Sequence, residues 1–351
     1  MNTGKNIVVL HGEVPAEAGP DEQDVLTEVR EVSTALGALG YETTALGLSL
    51  DLEAAAGELR RLSPLMVFNL VESIEGRDRL LHLATSLMDC LGIPYTGCGS
   101  DGMYLASNKL LAKRLLARGR LPTPPWTRAE EVLASEPDFA PPYIVKSVWD
   151  NASRGLERTF ETREQLRENL ELRAAAGGPA ELFVEHYVEG REFNLSLLQD
   201  GARIEVLPPA EMLFVDYPPE MPRIVGYAAK WDPSSFEYSH TVRRFDFGGE
   251  DRRLLHSLSE LALNSCHQLQ IGGYARVDFR VDDRDNPWIL EVNPNPCLSA
   301  DAGLAAAAAR AGYPYRELVQ RILQPVLENI ASRNAAGAAP HVPAGGVRRR
   351  S

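Results

Sequence analysis

The chain has 351 residues, of which 44% are hydrophobic and 24% are charged, and its formal net charge is −13. This composition is typical of a folded globular chain of two or three domains, and the negative charge argues against nucleic acid or an anionic membrane as the main partner. Four cysteines without a CxxC pair, seven histidines without an HxxxH pattern, and no apolar stretch near the ~18 residues that span a bilayer lead us to expect a cytoplasmic protein without a zinc site.

The first hundred residues alternate between strand-like and helix-like patterns. NIVVLHG, YETTALGL, SPLMVFNLVE and the short IPYTG read as strands, and amphipathic helical segments separate them. Such alternation predicts a parallel sheet with helices on both faces, and it makes the first run a strand, not a signal peptide. Ligands collect at the carboxyl ends of such strands, so residues 11–13 and 69–72 are candidate substrate loops; the alternative for both is an ordinary solvated connection.

The middle of the chain begins where LPTPPW breaks a helical stretch that runs from 101 to 118. PPYIVKSVWDNASRGLERTF then predicts strand, loop and strand, ETREQLRENLELRAAAGG a charged surface helix, and ELFVEHYVEGREFNLSLLQDG two strands around a Glu-Gly turn. Residues 208–245 are rich in proline and aromatics and lack periodicity, which predicts a lid or binding loop. EDRRLLHSLSELALNSCHQLQIGG predicts a long helix.

Two late segments, YARVDFRV and PWILEVN, alternate around the polar turn DDRDN and predict a β-hairpin. If the turn is centred on its RD dipeptide, Asp278 pairs with Glu291 and Arg276 pairs with Asn293. Residues i and i+2 share a face, so two carboxylates, an amide and a guanidinium meet on one patch.

Two facing carboxylates repel each other unless a cation lies between them. Mg²⁺ prefers carboxylates, water and phosphate oxygens, and the neighbouring amide and guanidinium favour phosphate and oxyanion chemistry. Two alternatives stay open from the residues alone. The carboxylates could be an acid–base pair of the glycosidase kind, or Arg276 could simply neutralise a structural pair.

A polyphosphate beside such a metal needs further cations. Lys146 ends the apolar strand YIVKS, and a lysine there needs a partner; Lys109 lies on an earlier helix. In the following DNASRG loop, backbone amides and the hydroxyl of Ser153 could cover phosphates. Taken singly, each of these lysines is more often a surface residue, and the loop is poor in glycine.

EHYVEGRE completes a candidate nucleotide site. Edge-strand amides around Tyr187 and Val188 could bind the edge of an adenine, and a carboxylate from Glu185 or Glu192 could accept ribose hydroxyls.

In their order along the chain, these segments resemble the ATP-grasp superfamily and, within it, the D-alanine–D-alanine ligase-like branch. The resemblance runs from about 6 to 323, through YTGCGSDGMYLASNKLLAKRLLARGRLPTPPW, YIVKSVWDNASRG, FVEHYVEGREF, ARVDFRV and ILEVNPNP. It implies an α/β fold with a Rossmann-like N-terminal domain (1–105), a central ATP-grasp subdomain (106–187) and a C-terminal subdomain with the metal hairpin and lid (188–333), ATP lying between two sheets. Residues 334–351 are predicted to form a disordered tail.

The resemblance also implies residue roles. The nucleotide-binding residues would be Lys109, Lys146, Ser153, Glu185, Tyr187, Val188, Glu192 and Lys230. Two Mg²⁺ ions, replaceable by Mn²⁺, would be held by Asp278, Glu291 and Asn293. Arg276 would face the reacting carboxylate, and Lys230 and Ser153 would act with it on the phosphate.

Members of this superfamily phosphorylate a carboxylate with ATP and let an amine attack the acyl phosphate, which gives an amide, ADP and phosphate. The substrate motifs of this chain depart from the branch. EVPAEAGPDEQDV replaces a loop of the AEREVS type, Asn151 and Ala152 stand in the phosphate loop, and Trp231 replaces a tyrosine. Cys297 stands where the branch has a glycine, and Ala302 stands where it has the serine that grips the second substrate's carboxylate.

We therefore predict an ATP-dependent carboxylate–amine ligase whose small-molecule substrates are amino acids or small peptides. The alternatives are a D-alanine–D-alanine ligase with altered substrate loops, or a nucleotide-binding protein without ligase activity. Relatives in this branch are often dimers, so a homodimer is a further expectation.

Overall fold

The computed structural model describes residues 5–15, 17–149, 156, 158–175 and 181–337. The predicted phosphate loop around Ser153 therefore lies outside the described residues. Within them the strands form three sheets, which follow one another along the chain.

The first sheet is parallel and three-stranded, in the order β2-β1-β3. Its elements are β1 (Asn6–Gly12), α1 (Pro20–Ala38), β2 (Glu42–Leu48), α2 (Leu52–Leu62), β3 (Met66–Asn69) and α3 (His82–Leu91). Val8 and Leu10 pack towards α2 and α3, whereas Ile7 and Val9 pack towards α1. Helices on both faces of a parallel sheet confirm the predicted alternation, but IPYTG contributes only a single bridge between Val67 and Tyr95.

The helical stretch after this sheet is broken, where a single helix was predicted. Its two parts are α4 (Ser100–Ser107) and α5 (Lys109–Arg118). Asn108 between them has an extended backbone, with φ −84° and ψ 96°, and its side chain accepts a hydrogen bond from the Leu111 amide. This N-cap starts a new helix and places Lys109 in its first turn.

The second sheet is antiparallel, in the order β4-β6-β5. Its elements are β4 (Trp126–Arg128), α6 (Ala129–Ala134), β5 (Tyr143–Ser147), α7 (Arg163–Ala175) and β6 (Leu182–His186). The strand predicted after the DNASRG loop is reduced to one bridge between Phe160 and Tyr143.

The third sheet is antiparallel and carries six strands, in the order β10-β9-β7-β11-β12 with β8 added to β7. Its elements are β7 (Arg191–Asp200), β8 (Arg203–Val206), β9 (Ala210–Phe214), α8 (Tyr227–Trp231), α9 (Phe236–His240), β10 (Thr241–Arg244), α10 (Arg252–Gln268), β11 (Tyr274–Val281) and β12 (Pro287–Asn293). β6 and β7, predicted as two strands around a turn, belong to different sheets. The turn between them therefore links the second sheet to the third.

Residues 208–245 are more regular than predicted. β9 and β10 pair along the edge of the third sheet, and α8 and α9 lie between them in sequence. The sequence did not predict these elements because each is too short to show a hydrophobic period.

The last helices, α11 (Gly303–Arg310) and α12 (Tyr315–Gly337), return to the first sheet. Leu318 and Ile322 of α12 belong to the same core cluster as Val32 of α1 and Ile7 of β1. α12 extends to Gly337, past residue 334 where the tail was predicted to begin, and the chain after 337 lies outside the described residues. Among the described helices, none combines the length and apolar character needed to cross a membrane.

Candidate active site

A cavity of about 760 Å³ is lined by residues of the second and third sheets, of α5 and of the segment between β9 and β10. Ten of the twelve predicted site residues line it: Lys109, Lys146, Glu185, Tyr187, Val188, Glu192, Lys230, Arg276, Asp278 and Glu291. Asn293 lies next to Arg276 in the strand ladder, and Ser153 lies outside the described residues. The structure thus brings together residues that are up to 182 positions apart in the chain, from Lys109 to Glu291.

The hairpin of β11 and β12 has the predicted pairing at the site. Asp278 faces Glu291 and Arg276 faces Asn293. A β-bulge beyond Asp278 shifts the remaining pairs by one residue, so Phe279 faces Ile289 and the turn is displaced from the predicted centre. The bulge also lets Leu290 line the cavity beside Glu291.

The two hairpin carboxylates are surrounded by cations. Arg276 donates to both oxygens of Asp278, at 2.7 and 2.9 Å, and lies 3.9 Å from Glu291. The Lys109 ammonium lies 3.2 Å from Glu291. Burial alone would raise the pKa of Glu291, but the nearby cations, Lys109 first among them, hold it well below its usual range. Glu291 is therefore ionised and faces the cavity.

Asn194 of β7, which sequence reasoning missed, supports this pair. It faces Asp278 across the ladder, and its amide donates to the Asp278 carboxylate at 2.8 Å. Asn293 also has a partner, because its side-chain oxygen accepts the Asn295 amide at 2.9 Å. Glu192 and Asn194 are two residues apart on one strand, so the sequence could have placed Asn194 on the same face as the predicted site residue Glu192.

Glu185 lies between two lysines. Its carboxylate pairs with Lys113 and, at 2.6 Å, with Lys146, and it is fully buried. Burial by itself raises the pKa of Glu185, but Lys113 and Lys146 outweigh it and the pKa lies below its usual value. The Glu185 carboxylate is thus committed to the two lysines, and Lys146 has the partner that a lysine ending a buried strand requires. Lys113 was missed, although its i, i+4 spacing from Lys109 puts both on one face of α5.

Arg280 organises the part of the cavity near the turn from the second sheet to the third. It lies 3.2 Å from Glu192, donates to the Gly190 carbonyl at 3.0 Å, and stacks over the Tyr187 ring at 5.1 Å. Gly190 has φ +138°, and a Cβ there would approach the Val281 carbonyl oxygen to 2.0 Å, so only glycine fits. Arg280 lies two residues after Asp278 on β11, as Asp278 does after Arg276. This spacing could have placed Arg280 on the same face from the sequence.

The predicted adenine site needs one correction. β6 is the central strand of its sheet, not an edge, and the Tyr187 amide already donates to the Pro142 carbonyl at 2.8 Å. The amide of Tyr187 is therefore taken, while Tyr187 and Val188 still line the cavity.

Lys230 approaches the same cavity from α8. Burial, together with repulsion from Arg276, lowers its pKa, and attraction to Glu291 and Asp278 opposes that shift. The predicted lid lysine thus shares the electrostatic environment of the hairpin.

The loop after β12, which begins at Pro294, is held by hydrogen bonds to distant parts of the chain. Tyr274 donates to the Asn295 side chain at 2.8 Å, and Asn295 donates to the Val71 carbonyl at 3.1 Å. Glu28 of α1 accepts the Leu298 amide at 2.6 Å. The loop is therefore fixed by β11 and by two segments far earlier in the chain, α1 and the residues after β3.

Two sheets with a cation-rich cavity that holds carboxylates and an amide define the ATP-grasp class of carbon–nitrogen ligases. The family model for the D-ala D-ala ligase C-terminus matches residues 123–324, which is more than half of the chain. The chain belongs to the D-alanine–D-alanine ligase family. This membership confirms the predicted resemblance, fold class and enzyme class.

Individual relatives agree. The chain is 31% identical over 308 residues to the D-alanine–D-alanine ligase of Stutzerimonas stutzeri, covering 85% of this chain and 88% of that one. It is 28% identical over 336 residues to that of Synechococcus sp. (strain JA-2-3B'a(2-13)), covering 92% and 93%. The fold matches D-alanine–D-alanine ligase from Bacillus anthracis complexed with ATP, with a TM-score of 0.70, 20% identity, and coverage of 94% and 99%.

Proposed function

We propose that this protein joins a carboxylate to an amine through an acyl phosphate, with consumption of ATP, and that its substrates are amino acids or small peptides. The supporting observation is the arrangement of Lys109, Glu291, Arg276 and Asp278 in one cavity, with Lys146 and Lys230 lining it. Four cations around two carboxylates suit a ligand that carries both phosphate and divalent metal.

The hairpin residues fit Mg²⁺. Asp278, Glu291 and Asn293 offer oxygen ligands, Glu291 is ionised, and Asn194 orients Asp278. We propose that these three residues hold two Mg²⁺ ions and that Mn²⁺ can replace them. When bound, the metal would neutralise phosphate charge.

The remaining steps rest on residues of the chain. Lys109, Lys146 and Lys230 would bind the phosphates, and Glu192 the ribose, while the rest of the cavity lining excludes water. Arg276 would orient the acid substrate. An oxygen of that carboxylate would attack the γ-phosphorus as ADP leaves, and the amine nitrogen would then attack the acyl carbon, release phosphate and lose a proton to solvent.

The test is release of ADP and phosphate from MgATP by the full chain across a panel of amino acids and dipeptides of both configurations. We expect release to depend on a particular acid and amine, and hydroxylamine to trap the activated acid as a hydroxamate. No stimulation by any member of the panel, with MgATP bound, would contradict ligase activity and favour a nucleotide-binding protein without ligation.

A second candidate is D-alanine–D-alanine ligation, the activity named for several relatives. Formation of D-alanyl-D-alanine from D-alanine alone would establish it. Cys297 and Ala302, both in the cavity lining, argue for other substrates because they replace the branch's glycine and serine. The cytoplasmic location and a homodimer stay predictions.

A further inference from the structure

A cluster of acidic groups lies at the end of the cavity beside the loop after β12. Asp24 and Glu28 come from α1, Glu72 follows β3, and Cys297 follows β12. Ligand atoms of Glu28, Glu72 and Cys297 all lie within 4.8 Å of one another, and the Cys297 thiol donates to Asp24 at 3.4 Å. We call these four residues the acidic cluster.

The carboxylates of the acidic cluster form no ion pair among the described residues, and only Glu72 is attracted by cations at longer range, Arg276 and Lys230. Among the described residues, no lysine, arginine or histidine nitrogen lies within 4.0 Å of Asp24, Glu28 or Glu72. One oxygen of Glu28 accepts the Leu298 amide, but the other is buried without a hydrogen-bond partner, and the residue is only 2% exposed. A buried carboxylate oxygen in this state is destabilising unless a ligand supplies a donor.

The acidic cluster is contiguous with the proposed reaction site. Asp24 and Cys297 line the same cavity as Arg276, and carboxylate oxygens of Glu28 and Glu72, which are not part of the lining, lie within 4.8 Å of the Cys297 sulfur. Burial and the neighbouring carboxylates raise the pKa of Glu72 to about 8 and that of Glu28 well above its usual value. A bound cation would oppose both shifts and favour the ionised carboxylates.

Resting on the proposed function, we propose that the acidic cluster binds the cationic end of a substrate side chain, so that the enzyme ligates amino acids with basic side chains. Asp24, at the cavity surface, would meet the α-ammonium, and Glu28 and Glu72 would meet the distal cation. A substrate without the distal cation would leave both Glu28 and Glu72 without a cationic partner.

The spacing suits a nitrogen donor. A tetrahedral ammonium whose N–H···O distances are about 2.8 Å bridges oxygens about 4.6 Å apart, which fits the span of the cluster. A metal ion is the competing occupant, since carboxylates and a thiolate ligate Zn²⁺. Burial, Glu28 and Glu72 raise the pKa of the Cys297 thiol well above its usual value, so the thiol is protonated and is a poor metal ligand.

The experiment compares lysine with norleucine, which has the same carbon chain without the terminal ammonium. Each amino acid is tested as the D and as the L enantiomer. Calorimetry on the full chain with MgADP measures binding without turnover, and ADP release from MgATP measures kcat/KM. We expect lysine to be preferred at least about tenfold in both, which corresponds to about 1.4 kcal/mol. Glu72→Gln should lower this lysine-to-norleucine ratio about tenfold.

Glu42→Gln is the control. Glu42 is an exposed carboxylate at the start of β2 and belongs neither to the cavity lining nor to the acidic cluster, so the lysine-to-norleucine ratio should not change. Equal use of lysine and norleucine would overturn the proposal, as would an unchanged ratio in Glu72→Gln.

Three further outcomes are informative: the first tests which ligand occupies the acidic cluster, and the other two separate this proposal from the proposed ligase function. Stoichiometric Zn²⁺ binding that Cys297→Ser abolishes would assign the acidic cluster to a metal and overturn its assignment to a side chain. Lysine binding that depends on Glu72, without ADP release from any acid and amine, would support the cluster and contradict the ligase. Turnover without a lysine preference would do the reverse.

Discussion

The carboxylates at the two ends of the cavity differ in whether they form ion pairs. At the end that we propose binds the nucleotide, called the nucleotide end below, two buried carboxylates have cations: Glu185 has Lys113 and Lys146, and Glu192 has Arg280. At the other end the acidic cluster has none within 4.0 Å among the described residues.

This difference indicates what each end requires. Compensated pairs hold their geometry before any ligand arrives, so the nucleotide end is preorganised. The acidic cluster forms no ion pair among the described residues, and by our proposal a ligand supplies its positive charge. The acidic cluster would therefore determine the substrate.

The largest expected effect is on turnover at the hairpin. Glu291→Gln removes a proposed metal ligand and the partner of Lys109, and it should lower kcat roughly 100- to 1,000-fold. Asp283→Asn, in the exposed turn of the same hairpin, is the control. Rates measured by ADP release that match those of the control would exclude the metal role.

Breaking a compensated pair should unfold the protein more easily. Lys113→Met leaves the buried Glu185 with one cation, and it should lower the free energy of unfolding by about 3 kcal/mol. Arg118→Gln, exposed on the same helix, should change it little. Urea unfolding followed by circular dichroism compares the two, and equal midpoints would show that the pair contributes nothing.

A smaller effect is expected on nucleotide affinity. Lys146→Ala removes a proposed phosphate partner and should raise the Kd for MgATP at least about tenfold. Calorimetry at a temperature where both proteins are folded checks this, with Lys5→Ala as the exposed control. An unchanged Kd would leave Lys146 only its structural role beside Glu185.

The smallest effect is on stability as a function of pH. Burial first, then Asp78 and Asp24, raises the pKa of Glu72 to about 8, while Arg276 and Lys230 oppose the shift. Because the folded state binds this proton more tightly than the unfolded chain does, stability falls as pH rises from about 4.5 through 8.

Glu72→Gln mimics the protonated form, so it should raise the Tm at pH 8 and change it little at pH 4.5. Thermal melts at both pH values measure this difference. A larger gain at pH 4.5 than at pH 8 would contradict the pKa direction.

The sequence alone determined the hairpin of the site. A tight turn fixes the register of adjacent strands, and the alternation of side chains fixes their face, so Asp278 could be placed opposite Glu291 without a structure. The ordered motifs similarly determined the family. The i, i+4 and i, i+2 spacings of Lys113 and Asn194 were also available locally, but nothing local names their partners.

Only the tertiary structure decided the charge balance of the cavity. Glu28, Glu72 and Cys297 come from three distant segments, and their meeting depends on how α1 and the loop after β12 pack on the first sheet. A carboxylate's protonation and its need for a partner follow from burial and from distances through space. Sequence spacing carries neither quantity.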